Sequence, residues 1–152
     1  MKTQILILLF CGAMLAGPLT TQAQDSRIAV GAMINSPTGL SAKLWLNDEV
    51  AVDGAFSFNI GDFSNFYFHS DALLHKETDN ANLLIHYGLG ARLFWSDANS
   101  DVRASLRAPA GVSYAIEDTD FEGFFEFAPT LDFSPDFLFG FGGAVGMRVY
   151  LN

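Results

Sequence analysis

The last stretch of the chain, residues 137–151, restricts the fold more than any other. Its odd-numbered positions carry Phe, Phe, Phe, Gly, Val, Met, Val and Leu, whereas its even-numbered positions carry Leu, Gly, Gly, Ala, Gly, Arg and Tyr. Successive side chains of a strand point to opposite faces, so one face is large and apolar and the other is small and holds the arginine. A soluble strand buries its large side chains and exposes its charges, whereas a membrane barrel has lipid outside and a tight polar lumen inside. The pattern therefore predicts a strand of a membrane β-barrel.

Seven earlier segments alternate in the same way, and turn-forming residues separate them. They are residues 27–34, 40–46, 50–60, 65–76, 83–95, 102–116 and 121–133. Because the apolar face of the eight strands carries no charged residue apart from Lys76 at one strand end, we predict an all-β fold. It is an eight-stranded antiparallel up-and-down transmembrane β-barrel with short turns, and its closure removes exposed strand edges. The alternative is a soluble lipocalin-like barrel, which would place charges outside and large apolar groups inside.

The first 23 residues have the pattern of a secretory signal peptide. Lys2 precedes an apolar run over residues 5–16, and Ala23 offers a small residue for cleavage. We predict that residues 1–23 are removed and that residues 24–152 form the barrel. An uncleaved anchor is the alternative, although the run is short for a spanning helix. Cys11 lies in this segment, so the mature chain would have no disulfide bond and no cysteine-based metal site.

The inward face predicts a network of charged side chains. Eight strands enclose an interior that side chains can fill, and charges in so narrow a lumen must pair. The expected plug-like network comprises Lys43, Asp53, Asp71, Arg92, Arg103, Arg107, Glu122, Glu126, Asp132 and Arg148. A hairpin centred on Pro135 would place Glu122 opposite Arg148, for which we expect a bidentate pair. The same arithmetic places Glu126 opposite Ala144, which leaves that carboxylate room for Arg107.

Two prolines lie within predicted strands. Pro109 and Pro129 are at similar distances from the turn near Thr119, so they should be close in space. Because proline cannot donate a hydrogen bond to the sheet, we expect a bulge or a local kink there. The alternative is that one of them marks the end of a strand.

Two groups of residues invite a chemical interpretation. In His69-Ser70-Asp71, Ser70 points away from its neighbours, so the three cannot form a catalytic triad. His75 and His86 flank one turn on the inward face, but a metal site needs at least one more ligand, which His69 or Asp71 could supply only if the register permits. Filling of the polar lumen is the alternative role. We therefore expect no catalytic residues, no cofactor and no bound metal.

The end of the chain resembles the carboxy-terminal assembly signal of Gram-negative outer-membrane barrels. Gly146, Val149 and Leu151 match its glycine and the hydrophobic residues three and five positions later, although Asn152 follows where that signal ends in an aromatic residue. Residues 107–114, 125–129 and 142–150 resemble a family of small bacterial outer-membrane proteins, similar to the eight-stranded domain of outer membrane protein A. The resemblance implies insertion by the outer-membrane assembly machinery.

These patterns indicate a location more clearly than an activity. We expect a monomer in the outer membrane of a Gram-negative bacterium, in contact with outer-membrane lipid and lipopolysaccharide. The net charge of −9 argues against a nucleic-acid partner. A structural barrel without an enzymatic site is the leading hypothesis. A narrow pore or small-ligand carrier is the second, and a surface adhesin or receptor is the third, which short external turns disfavour.

Overall fold

The computed structural model describes residues 27–34, 38–59, 65–96 and 101–151. The described residues form nine strands: β1 Ile28–Ile34, β2 Gly39–Trp45, β3 Val50–Asn59, β4 Asn65–Glu77, β5 Leu83–Ser96, β6 Asp101–Arg107, β7 Ala110–Ala115, β8 Phe121–Ser134 and β9 Leu138–Tyr150. The signal-peptide prediction for residues 1–23, Cys11 included, lies outside the described residues, as do residues 35–37, 60–64 and 97–100 of the predicted turns. No described segment is a helix long and apolar enough to span a bilayer.

The strands form one antiparallel sheet that closes on itself. Each strand except β6 pairs with the strand that follows it along the chain, and β1 pairs with β9 through Ala29–Tyr150 to Ile34–Val145. Strands β6 and β7 both pair with β5 and β8, so together they occupy one position in the ring. The ring therefore has eight positions, and the predicted up-and-down barrel is confirmed.

The sixth position is interrupted where the prolines predict a kink. Strand β6 ends at Arg107 and β7 begins at Ala110. At the break the Ala108 amide donates to the carbonyl of Pro129, with 3.0 Å between N and O, and the amide of Gly88 donates to the carbonyl of Pro109 at 2.9 Å. The register also shifts between Ala104 and Ser105 against β8. The two prolines are thus close together, and the predicted local irregularity is confirmed.

The two faces of the barrel wall have opposite polarity. Large apolar side chains cover the outside, with Leu89 72% exposed and Phe139 61% exposed. The inside holds nearly all of the buried polar groups, together with small residues and a few larger apolar ones such as Met33 and Phe124. A water-soluble protein would have the reverse arrangement. The barrel is therefore built to contact an apolar medium outside and to satisfy its charges internally.

Glycine makes room for the charged side chains of the lumen. A Cβ atom on Gly90 would overlap the Oδ1 atom of Asp71, which lies opposite it on β4. A Cβ atom on Gly146 would overlap the ring of Phe124 on β8. The small residues of the inward face therefore set the space that the longer side chains can fill.

Candidate functional site: the ion-pair network of the lumen

Arg27 and Leu151 lie at one end of the barrel, which is called the lower end below, and the opposite end is the upper end. A buried ion pair near the lower end joins β2 to β8. The ammonium group of Lys43 donates to both carboxylate oxygens of Glu122, at 3.0 and 3.1 Å. Tyr150 donates its hydroxyl proton to Glu122 at 2.7 Å and accepts a hydrogen bond from the indole of Trp45 at 2.9 Å. The Lys43 ammonium also lies 4.5 Å from the centroid of the Trp45 ring. These four side chains close the lumen at this level.

The predicted pairing of Glu122 with Arg148 is confirmed in register, and the two side chains form a long ion pair rather than a bidentate one. The two residues are direct cross-strand partners on β8 and β9. The guanidinium of Arg148, however, donates to Asp53 at 2.7 Å and to Ser41 at 2.9 Å, and its Nη1 atom lies 3.5 Å from Glu122. The expected bidentate pair is therefore wrong. Lys43 reaches Glu122 from across the lumen and holds both of its oxygens, which directs Arg148 toward Asp53.

The centre of the lumen is organised by Arg107. Its guanidinium donates to Glu126 through Nη2 and to the hydroxyl of Tyr67 through Nη1 at 3.0 Å, and its Nε atom lies 2.9 Å from Asp71. The Tyr67 hydroxyl is hydrogen bonded in turn to Nδ1 of His69, with 2.8 Å between O and N. Glu126 lies opposite Ala144 in the register. Both expectations for Glu126 therefore agree with the structure.

A third group of polar side chains, the upper group, lies nearer the upper end of the barrel. Arg92 donates to Asp132 at 2.6 Å and to the hydroxyl of Ser105 at 2.9 Å, and Ser105 donates to the same carboxylate. This pair is less buried than the others, with 18% of the Arg92 side chain exposed. Arg103 also belongs to the predicted network, but it is half-buried and forms no ion pair with the side chains that the structure describes. Nine of the ten predicted residues thus join in ion pairs, and Arg103 does not.

The three histidines are all buried on the inward face. His75 and His86 are cross-strand partners, as their positions around the turn suggest, and their ring centroids are 5.5 Å apart. His75 packs on Trp45 with 4.3 Å between centroids, and Nδ1 of His86 is 3.2 Å from the hydroxyl of Ser113. Neither joins a cluster with metal-binding spacing among the described residues; such a cluster forms around His69 instead.

Ser70 lies on the other side of the barrel wall from His69 and Asp71. Both neighbours are buried inside, whereas Ser70 is half-exposed on the outer face. The prediction that these three side chains do not form a triad is therefore confirmed.

A cavity of about 260 Å³ lies between the central and the upper groups. Arg92, Arg107 and Glu126 supply charged walls, and residues 141–144 of β9 supply a wall of small residues and one phenylalanine. Tyr67 and Thr130 complete the polar lining. The space exists because the inward positions 142 and 144 carry glycine and alanine, where larger side chains would fill it.

Sequence reasoning missed several uncharged members of the network. Tyr67, Ser41 and Ser105 each bond a charged group, and all three are on the inward face by parity. That parity was the available signal, since a polar residue at an inward position of a narrow barrel needs a hydrogen-bond partner. The partner itself cannot be found this way, because it comes from a strand across the lumen.

The comparisons with known proteins agree with this architecture. No protein-family model and no curated protein matches the sequence. The structure resembles the N-terminal β-barrel domain of Pseudomonas aeruginosa OprF, with a TM-score of 0.60 and 13% identity over 84% of this chain and 100% of that one. It also resembles Neisserial surface protein A, with a TM-score of 0.54 and 18% identity over 82% of this chain and 93% of that one.

The fold is that of an outer-membrane β-barrel. At these identities the two likenesses establish the fold and nothing more about this chain. The expected resemblance to the eight-stranded outer-membrane barrels is thereby confirmed.

Proposed function

We propose that the protein is a small integral outer-membrane barrel of a Gram-negative bacterium, with a structural role and no enzymatic site. The observation that carries the proposal is the reversed polarity of the wall. Large apolar side chains are exposed outside, whereas Lys43, Asp71 and Arg148 are at most 2% exposed inside. Only an apolar medium makes such an outer surface stable, and a closed barrel satisfies every backbone group within it.

The lumen supports a structural role over conduction. Ion pairs link β2 to β8, β3 to β9 and β4 to β6, and none of these strands are neighbours in the ring. Each pair therefore crosses the lumen and obstructs it. A water-filled channel would instead keep its charges on the wall and solvated.

The proposed partners follow from the two surfaces. The apolar exterior would contact outer-membrane lipid and the acyl chains of lipopolysaccharide. The closing strand, with Gly146, Val149 and Leu151, would be recognised by the outer-membrane assembly machinery. We propose a monomer, because closure of the ring leaves no strand edge for a second copy.

Cell fractionation with a heat-modifiability gel tests the location. The expected result is recovery in the outer-membrane fraction, with faster migration of the unheated sample because the barrel stays folded in detergent. Recovery in the soluble periplasmic fraction without a mobility shift would refute the proposal. Recordings in planar bilayers then test the structural role, for which we expect no discrete conductance steps.

A narrow pore or small-ligand carrier is the second candidate. The cavity of about 260 Å³ favours it, since Arg92 and Arg107 line a space that could take a small anion. Discrete steps in the bilayer recordings that change with the substitution Arg92→Met would support this candidate over a structural barrel. The adhesin or receptor alternative concerns turns that lie largely outside the described residues, and no observation favours it.

A further inference from the structure

Three chelating side chains converge in the middle of the lumen. Asp53 on β3 and Asp71 on β4 are direct cross-strand partners, and His69 precedes Asp71 by two residues on the same face. One ligand atom from each lies within 4.8 Å of the others, and all three residues are at most 3% exposed. Like charges placed directly opposite one another destabilise a sheet. Something must compensate for this arrangement.

Three of the four carboxylate oxygens of this group accept no hydrogen bond from the described residues. The Oδ1 atom of Asp53 and both oxygens of Asp71 are buried and accept no hydrogen bond from any described residue. Asp53 is bonded only through Oδ2, to Arg148. Arg107 lies 2.9 Å from Asp71, but its Nε atom also lacks a hydrogen bond within the described chain. Buried carboxylates without partners are costly, so they mark a place where a positive group is needed.

The charge of the network points the same way. The ion pairs join Asp53, Asp71, Glu122, Glu126 and Asp132 to Lys43, Arg92, Arg107 and Arg148, which leaves one negative charge in excess when the histidines are neutral. The two nearest guanidiniums are shared with other groups, Arg107 between Asp71 and Glu126 and Arg148 between Asp53 and Ser41. Asp53, Asp71 and Glu126 therefore share two guanidiniums, which places the excess negative charge among these three carboxylates.

We propose that Asp53, His69 and Asp71 bind one divalent transition-metal ion, such as Zn²⁺ or Co²⁺. One imidazole and two carboxylates are a donor set that suits these ions, with a fourth position left for water. Nε2 of His69 lies 3.7 Å from Oδ2 of Asp71. Two ligands of a tetrahedral zinc ion are about 3.4 Å apart when each bond is about 2.1 Å, so His69 and Asp71 need to move little toward each other.

Tyr67, which is not one of the proposed ligands, holds the imidazole of His69 in position. Its hydroxyl lies 2.8 Å from Nδ1 of His69 and fixes the ring so that Nε2 faces Asp71. A metal-binding histidine donates its other ring N–H to an acceptor, so here Nδ1–H would donate to the Tyr67 oxygen and leave Nε2 free to bind the metal. Sequence reasoning considered the pair His75 and His86 instead and did not pair Asp53 with Asp71.

Cobalt binding to the untagged mature chain tests the proposal. The protein is refolded from urea into detergent with and without Co²⁺, because the buried site would fill during folding, and free metal is then removed. We expect one cobalt ion per barrel and the visible absorption of four-coordinate Co²⁺. The urea midpoint should rise with Co²⁺ or Zn²⁺, since a ligand that binds only the folded state stabilises it.

Two site variants and one matched control make the result specific. Asp71→Asn and His69→Gln should each weaken cobalt binding by roughly tenfold or more. His75→Gln removes another buried inward histidine and should retain the full absorption. Folding of each variant is checked by its mobility shift, and if Asp71→Asn does not fold, His69→Gln still decides the question.

Two kinds of result would overturn the proposal. One is the absence of cobalt in the refolded wild type, or an absorption that His75→Gln removes and His69→Gln does not. The other is an infrared carbonyl band of a protonated aspartic acid that disappears in Asp71→Asn and persists in the wild type at saturating metal. That band would mean that a proton, rather than a metal ion, neutralises the pair.

Discussion

Glu122 should contribute more to the stability of the barrel than the lysine that it binds. Glu122→Gln leaves the Lys43 ammonium, which is 1% exposed, with an amide and the Trp45 ring as its neighbours. Removing one partner of a buried ion pair costs about 3–5 kcal/mol, because the other charge stays buried without compensation. Lys43→Met is milder, since Glu122 keeps the Tyr150 hydroxyl at 2.7 Å and Arg148 at 3.5 Å. We expect about 1–3 kcal/mol for that change.

The double variant separates these two contributions. Once Lys43 is gone, Glu122→Gln strands no ammonium group, so the double variant should cost no more than Glu122→Gln alone. The corresponding coupling energy is about 1–3 kcal/mol. A second cycle between Glu122→Gln and Arg148→Met should give a smaller coupling, because the closest partners of Arg148 are Ser41 and Asp53.

Urea unfolding in lipid vesicles measures these energies. Far-ultraviolet circular dichroism and the gel mobility shift are the suitable probes, because Trp45 belongs to the cluster and its fluorescence would change with the substitutions themselves. A coupling near zero between Lys43 and Glu122 would refute the reasoning by showing that water solvates both charges. A larger coupling for Arg148 than for Lys43 would restore the bidentate pair that the hairpin register alone suggests.

Three further predictions concern the outer face, the backbone contacts and the closing strand. Leu89→Arg, at a side chain 72% exposed midway along β5, should destabilise the inserted barrel by about 2–4 kcal/mol in vesicle unfolding, whereas Leu89→Ile should not; equal stabilities would contradict the assigned faces. Gly31→Ala should cost about 1–3 kcal/mol because its Cβ atom would overlap the carbonyl of Met147, whereas Gly123→Ala, with nothing within 4 Å, should be close to neutral in the same assay. Deleting residues 149–152 removes the hydrogen bonds from the Tyr150 and Leu151 amides to the carbonyls of Asp120 and Ile28, and it should abolish outer-membrane recovery on heat-modifiability gels. Deletion of Asn152 alone is the control. Normal outer-membrane levels of the longer deletion would count against the assembly-signal resemblance.

Alternation along the chain was enough to predict the wall of the barrel. Side-chain parity has only two states, so an apolar face without charges identifies the inward positions of every strand. The predicted ends agree with those observed to within one or two residues, as for residues 83–95 against Leu83–Ser96. Pro109 and Pro129 predicted the interruption between β6 and β7, since the lack of an amide donor is a property of the residue itself. Register between neighbours was also accessible, because a short hairpin fixes the sum of opposing residue numbers.

Contacts across the lumen could not be predicted in this way. Lys43 and Glu122 are 79 residues apart, and β1 and β9 lie between their strands. Which inward residues face each other across a barrel depends on the cumulative stagger of all the strands around the ring. An error of one residue in any hairpin changes that stagger, so the partner of Arg148 could be read as Glu122 from the adjacent strand but not as Asp53 from three positions away. The cluster around His69 does not have this limitation, because its members lie on the paired strands β3 and β4, whose register a hairpin fixes.

The two halves of the lumen differ in how they are filled. Ion-paired side chains fill the lower end, whereas a cavity remains in the upper half. The group around Lys43 and Glu122 is fully buried, and Trp45 and Tyr150 tie it to three strands. The Arg92 and Asp132 group is partly exposed and borders the cavity. A small solute could therefore approach Arg107 from the upper end without breaking the Lys43–Glu122 ion pair at the lower end. Passage would require at least two buried ion pairs to break together, each at a cost of several kcal/mol. We therefore expect, in keeping with the proposed structural role, that a solute held beside Arg92 would not be conducted through the barrel.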